Sequence, residues 1–396
     1  MSFDFTTVFD RRGHDSIAAE VIPFPDLAVK EGFDPIPMWV ADMSFATAPS
    51  VLEALKNRLT HPAFGYFNPS EAYKNALLRW QKCRNGVDLT WETIGYDHSV
   101  LGGIVSAANA TTARGGKILI HSPTYVGFTG ALTNNGYQLI HSPLVPDEQG
   151  VMRMDLADME RKLKEHNIHT AVFCSPHNPT GRVWEREEIE AAMELFRRYD
   201  VTVLSDEIWS DLILNGHKHI PTQSVSEDAK QRTVAFYAIT KTFNLAGLVG
   251  SYHVIHHKAL RDRVEREASL SHYNGMNVFS MHALVGAYSD EGAAWLDELR
   301  GVLTENVNYA CRFIEEHFEG VTVSHPQGTY MIFLDCTEWC KTHGKTIDEL
   351  QRAGVEVGVI WQDGRPFHGD HHIRMNLALP HSRLVEAFDR LRRYVF

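Results

Sequence analysis

HTAVFCSPHNPTG (residues 169–181), REEIEAAMELFRRY (186–199) and VTVLSDE (201–207) decide the fold. The first and third begin as short, wholly apolar runs and end in polar residues. The second carries Ile189, Ala192, Met193 and Phe196 at the spacing of one helix face. Two strands apolar on both faces, joined by a helix, form a crossover unit whose strands lie parallel and covered. Working outward, the alternation repeats. LGGIVSAANATTA (101–113), VGFTGALTNN (126–135) and LADMERKLKEH (156–166) read as helices. KILIH (117–121), YQLIHSP (137–143), TVAFYAI (233–239) and SYHVI (251–255) read as strands. The expected class is α/β, a large domain with a mainly parallel sheet between helices. Past about residue 258 the pattern changes. Long helical stretches, including 292–317, lead to strands VTVSH (321–325), TYMIFLD (329–335) and HHIRMNL (371–377), then a closing helix over 381–394. Helical spacing also appears at 49–59 and 70–83. The expected division is a proline-rich arm with part of a small domain over 1–48, a large domain over 49–285 and a small α+β domain over 286–396.

The chain has 396 residues, with 38 Lys+Arg against 50 Asp+Glu and a net charge of −12, which excludes a nucleic-acid binder driven by bulk positive charge. Hydrophobic residues at 44% and charged residues at 22% are those of a globular protein, not a disordered one. The longest apolar runs are strand-sized, so no membrane helix is expected. MSFDFTTVFDRRGHD (1–15) has no apolar core of the signal-peptide kind, and a cytoplasmic location is expected. The five cysteines, at 83, 174, 311, 336 and 340, are odd in number and form no CxxC pair. A disulfide framework is not expected. FHGDHHIR (367–374) is histidine-rich but lacks helical or hairpin ligand spacing, so no metal is expected.

In open sheets, ligands bind where loops leave the carboxyl ends of the strands. Four such loops stand out: SPTYVGF (122–128), SPHNPTG (175–181), SDEIW (205–209) and YAITKTFNLAG (237–247). Lys241 emerges just after an apolar strand, where a partly desolvated amine acquires the low pKa that Schiff-base chemistry requires; the alternative is a surface lysine. Asp206 ends a buried strand, so a cation is expected opposite it, unless it or Glu207 caps the following helix. Pyridoxal phosphate supplies such a cation in its ring nitrogen. Asn178 is placed to donate to a ring hydroxyl or to close an Asx-turn. Arg374, inside an apolar strand, needs an anion: a substrate carboxylate or a structural ion pair. Gly102 and Gly103, ahead of a helix, suggest a phosphate cradle, and Tyr125 a ring to stack on a planar cofactor or simply to pack.

Taken together, in this order, these loops resemble the fold-type I enzymes dependent on pyridoxal phosphate. More narrowly, the chain is similar to the MalY/PatB type of cystathionine β-lyases and carbon-sulfur lyases. PMWVADMSF (37–45), FGY (64–66), SPHNPTG, SDEIWSDL (205–212), TKTFNLAGL (240–248) and IRMNLALP (373–380) carry the likeness. It implies that Lys241 forms the Schiff base and takes the substrate α-proton, Asp206 meets the ring nitrogen, Asn178 the ring hydroxyl, and Tyr125 stacks. It implies that Gly102, Gly103 and Thr240 hold the phosphate, that Tyr66 reaches it from the second subunit of a homodimer, and that Arg374 with the main chain at Trp39 and Val40 binds the α-carboxylate. Trp209 replaces the Tyr or His of many relatives beside the cofactor, and Ala238 replaces a phosphate-binding Ser. DMSF stands for the usual DMDF, and WQDGRPFHGDHH (361–372) rewrites the segment ahead of Arg374.

The resemblance implies β-elimination from cysteine S-conjugates, giving a thiol, pyruvate and ammonia. Transamination of an amino acid by the same residues is the alternative. A ligand-binding regulator on the same fold is disfavoured by the joint presence of Lys241, Asp206, Asn178 and Arg374.

Overall fold

The computed structural model describes residues 3–270 and 272–396. Its centre is an eight-stranded sheet in the spatial order Ile94–Asp97, Ser251–Val254, Thr233–Tyr237, Thr202–Asp206, Thr170–Cys174, Lys117–Ser122, Gln138–Pro146 and Met152–Met154. The five strands from Thr233–Tyr237 to Gln138–Pro146 are parallel, and each outer strand pairs antiparallel with its inner neighbour. Side chains alternate between faces as strand geometry requires. Val172, Leu204 and Val234 pack with Ile104 and Phe128 beneath the helices Val100–Thr111, Val126–Asn134 and Lys258–Ser269. Ala171, Phe173 and Val203 pack on the other face with Met159 and Phe196, under Leu156–His166 and Arg186–Arg198. Helices on both faces explain why these strands read as continuous apolar runs.

The register places Cys174 opposite Asp206 and Asp206 opposite Phe236. Strand ends are therefore level, and the loops predicted to carry chemistry leave the sheet along one edge.

The C-terminal part has a four-stranded antiparallel sheet in the order Thr322–Val323, Met331–Asp335, His372–Asn376 and Gln362–Asp363. The expected strand over 321–325 shrinks to two residues, which pair only with Asp335 and Leu334 before the chain leaves the sheet. The long helix begins at Asp290, two residues earlier than expected, because the Ser289 hydroxyl caps the Gly292 N–H. It runs to His317, about 42 Å at 1.5 Å per residue. Leu299, Leu303, Val307 and Ile314 form its buried stripe. Ile36–Pro37 pairs in parallel with Val359–Ile360, so the N-terminal arm is stitched to the C-terminal part and the segment after it arrives beside Arg374.

Candidate active site

Lys241 sits in the single helical turn Ile239–Thr242 that follows strand Thr233–Tyr237. Its Nζ donates to the Ala41 carbonyl at 2.9 Å and lies 5.9 Å from the centre of the Trp209 ring. Burial, reinforced by the charge of Arg374, lowers the amine to about 8. An appreciable fraction is then neutral and nucleophilic near physiological pH, unlike a surface lysine.

Asp206 is the last residue of its strand and is buried. One oxygen accepts the Ile208 N–H at 3.0 Å, so the capping alternative holds for half of the carboxylate. Burial pushes its pKa up to about 7, against the pull of that N–H and of Lys241. Glu207 is satisfied separately. It accepts from His219 Nε2 and Tyr237 Oη at 2.7 Å each and from the Thr222 N–H at 3.0 Å. Asp206 thus remains a buried carboxylate with no salt-bridged cation among the described residues, the environment in which a cationic ring nitrogen is stabilised.

Between these groups lies a cavity of about 170 Å³, lined by Ala41, His98, Tyr125, Asn178, Asp206, Trp209, Thr240 and Lys241 among others. Tyr125 precedes helix Val126–Asn134 and meets Phe128 edge-on, which fixes its ring as one wall. Trp209 packs edge-on against Tyr330 at 4.8 Å.

Arg374 is buried and meets only neutral partners: Asn178 Oδ1 at 3.2 Å, the Trp39 carbonyl at 3.1 Å and Gln362 Oε1. Phe367 stacks beneath it at 4.5 Å. Its Nε is buried with no partner among the described residues, and burial lowers the guanidinium only to about 10, so it stays cationic at neutral pH. The structural ion-pair alternative therefore does not hold here. Asn178 ties Arg374 to the cavity through its oxygen and keeps its NH2 group as a donor.

Segment 39–45 is held by side chains through its carbonyls. Beyond Trp39 and Ala41, Asn376 Nδ2 donates to Val40 at 2.6 Å and also to Asp42. Tyr330 Oη donates to Ala41 at 3.1 Å, and Asn244 donates to Met43 and Phe45 at 3.0 Å each. Gln362, Phe367, Asn376, Tyr330 and Asn244 escaped the sequence reading. Asn376 was within reach of it, because it lies two residues past Arg374 on one strand and so shares its face.

One expectation changes. Gly102 and Gly103 do not precede the helix; they lie in its first turn, because Ser99 caps Val100–Thr111. The Gly102 N–H donates to Ser99 Oγ and the Gly103 N–H to the Ser99 carbonyl. A Cβ at Gly103 would come within 2.8 Å of the Asp97 carboxylate, so this glycine is there for close packing. Val100 and Leu101 carry the free N–H groups at the cavity instead. Tyr66, in turn, is not brought to the cavity of its own subunit. It is fully exposed in the connection between helices Pro49–Leu59 and Glu71–Asn85.

The model of the aminotransferase class I and II family matches residues 34–391. The chain belongs to this family. It is 34% identical to cystathionine beta-lyase PatB of Bacillus subtilis, over 91% of this chain and 92% of that one. It is 29% identical to protein MalY of Escherichia coli, over 97% of each. Among solved structures, cystalysin from Treponema denticola, which contains pyridoxal 5'-phosphate, superposes with a TM-score of 0.92 at 28% identity over 99% of this chain and 98% of that one. The fold is the fold-type I arrangement.

Among the described residues, no group of three or more His, Cys, Asp or Glu is arranged to hold a metal ion, and no helix is long and apolar enough to cross a membrane.

Proposed function

We propose that the protein is a pyridoxal-phosphate-dependent carbon-sulfur β-lyase of the cystathionine β-lyase type. One observation carries the reading: a buried carboxylate without a salt-bridged cation, Asp206, in one cavity with a lysine lowered to about 8. The residues fit the cofactor. Asp206 would hold its ring nitrogen, the Asn178 amide its ring hydroxyl, Tyr125 its ring face, and Thr240 with the first turn of helix Val100–Thr111 its phosphate. When bound, the cofactor supplies an electron-withdrawing ring to the substrate α-carbon.

The chain's own residues supply the rest. Lys241 would hold the cofactor through its aldehyde, and its free amine would take the substrate α-proton and move it within the site. Asp206 would hold a proton at the ring nitrogen. Arg374 takes the α-carboxylate, oriented by Gln362, Asn178 and Phe367, and so fixes which bond of the α-carbon faces Lys241. With a cysteine S-conjugate, loss of the β-sulfur and addition of one water give thiol, pyruvate and ammonia. The name of the Bacillus subtilis relative, cystathionine beta-lyase PatB, favours elimination over amino transfer. The exposed Tyr66 favours a homodimer in which each subunit lends that phenol to its partner's cavity. The unpaired cysteines are compatible with a reducing cytoplasm.

Borohydride reduction of the protein loaded with pyridoxal phosphate, followed by peptide mass analysis, tests the assignment. The expected result is pyridoxyl mass on the peptide carrying Lys241 and none in Lys241→Ala. Label on another lysine would overturn it.

A further inference from the structure

Resting on the reading that the cavity holds pyridoxal phosphate, we infer that the His98 imidazole donates a hydrogen bond to the cofactor's phosphate. His98 stands directly before Ser99, the cap of helix Val100–Thr111, so it lies at the end of the cavity where the helix presents its free N–H groups. Its main chain is pinned on both sides. The His98 N–H donates to Asn274 Oδ1 at 2.6 Å, and its carbonyl accepts the Gly250 N–H at 2.8 Å. The side chain lines the cavity, and Nδ1 is buried with no partner among the described residues. A buried ring nitrogen left unpaired is costly, which makes a ligand atom its natural complement.

The donors on the wall point the same way. Lys241 and His98 are the basic side chains named on it, and the Lys241 amine is committed to the aldehyde. Besides Thr240, the wall here includes Val100, Leu101, Ala246, Val249, Gly250 and Ser251; the Ser251 hydroxyl is used by the Asp97 carbonyl at 3.1 Å and the Ser99 hydroxyl by the Gly102 N–H. Val249 holds a left-handed φ of 54°, which a β-branched residue rarely adopts, in the turn that delivers the Gly250 N–H to His98. A dianion seated among helix N–H groups has room for one more side-chain donor, and the imidazole N–H of His98 is placed to be it.

The test compares cofactor-free protein titrated with pyridoxal phosphate and with pyridoxal, which lacks the phosphate, read by visible absorbance. His98→Ala should weaken pyridoxal phosphate binding roughly ten- to a hundred-fold, the effect of one hydrogen bond to a charged group. Pyridoxal binding should stay within about twofold of wild type. His98→Asn, whose amide can occupy the place of Nδ1, should recover part of the loss and guards against misfolding of the alanine variant. Equal losses for both ligands, or no loss in either variant, would overturn the role of His98 while leaving the cofactor assignment standing. Failure of the wild type to take up pyridoxal phosphate would overturn both.

Discussion

A carboxylate at the end of a strand with no cation beside it costs stability, and Asp206 is such a group. Its folded pKa, about 7, exceeds the ordinary 3.8 because burial disfavours the charge. Between about pH 4 and 7 the folded, cofactor-free protein keeps a proton that the unfolded chain has lost. Stability therefore falls as pH rises through that window, and the penalty is complete above it. Asp206→Asn should stabilise the cofactor-free protein at pH 8, by on the order of 4 kcal/mol from a shift of about three pKa units, and so raise its unfolding midpoint. The gain should vanish near pH 3, and the variant should turn over substrate orders of magnitude more slowly. Thermal unfolding at the two pH values checks this, and an Asn variant less stable at pH 8 would contradict it. Asp206, Lys241 and Arg374 were legible in the sequence for one reason: each is a charged residue at or inside an apolar strand run. Gln362 and Tyr330 were not, since a polar side chain in a loop or beside a strand looks the same whether it faces solvent or grips a guanidinium.

At the scale of elements, the site depends on segment 39–45, an irregular strip without regular hydrogen bonding of its own. Asn376 holds two of its carbonyls and accepts the Ala378 N–H at 2.7 Å, while Asn244 accepts the Met43 N–H at 2.9 Å and donates twice. Removing either amide leaves carbonyls unpaired, about 1–3 kcal/mol each where they are buried. Asn376→Ala should therefore lower stability by that order in denaturant unfolding and raise KM for α-carboxylate substrates. Its visible spectrum with the cofactor should stay that of wild type, because Asn376 lies outside the cavity wall. A spectrum changed as much as the KM would place Asn376 at the cofactor instead. Apolar periodicity revealed the strands and helices that deliver the loops. It placed the start of helix Val100–Thr111 one residue late, within the uncertainty of any helix end, and left unseen the Ser99 cap that sets it.

Across the whole molecule, Leu52, Leu59, Phe64, Tyr66 and Phe67 are exposed on helix Pro49–Leu59 and the connection that follows it. A cluster of this kind suits an interface between copies of the chain. No periodicity in one sequence distinguishes a loop that packs at home from one that crosses to a partner; exposure in the fold argues for the second. Lys241→Ala and Tyr66→Phe protomers, each impaired alone, should regain activity on mixing with subunit exchange, up to one intact site per heterodimer. Proven exchange with no recovered activity would return Tyr66 to its own subunit.

Counting the products formed from L-cystathionine shows which bond breaks. Protein loaded with pyridoxal phosphate should release homocysteine and pyruvate in equal amounts, with ammonia, and Lys241→Ala should release none. An oxo acid that keeps the carbon-sulfur bond, formed without thiol or pyruvate, would contradict the account.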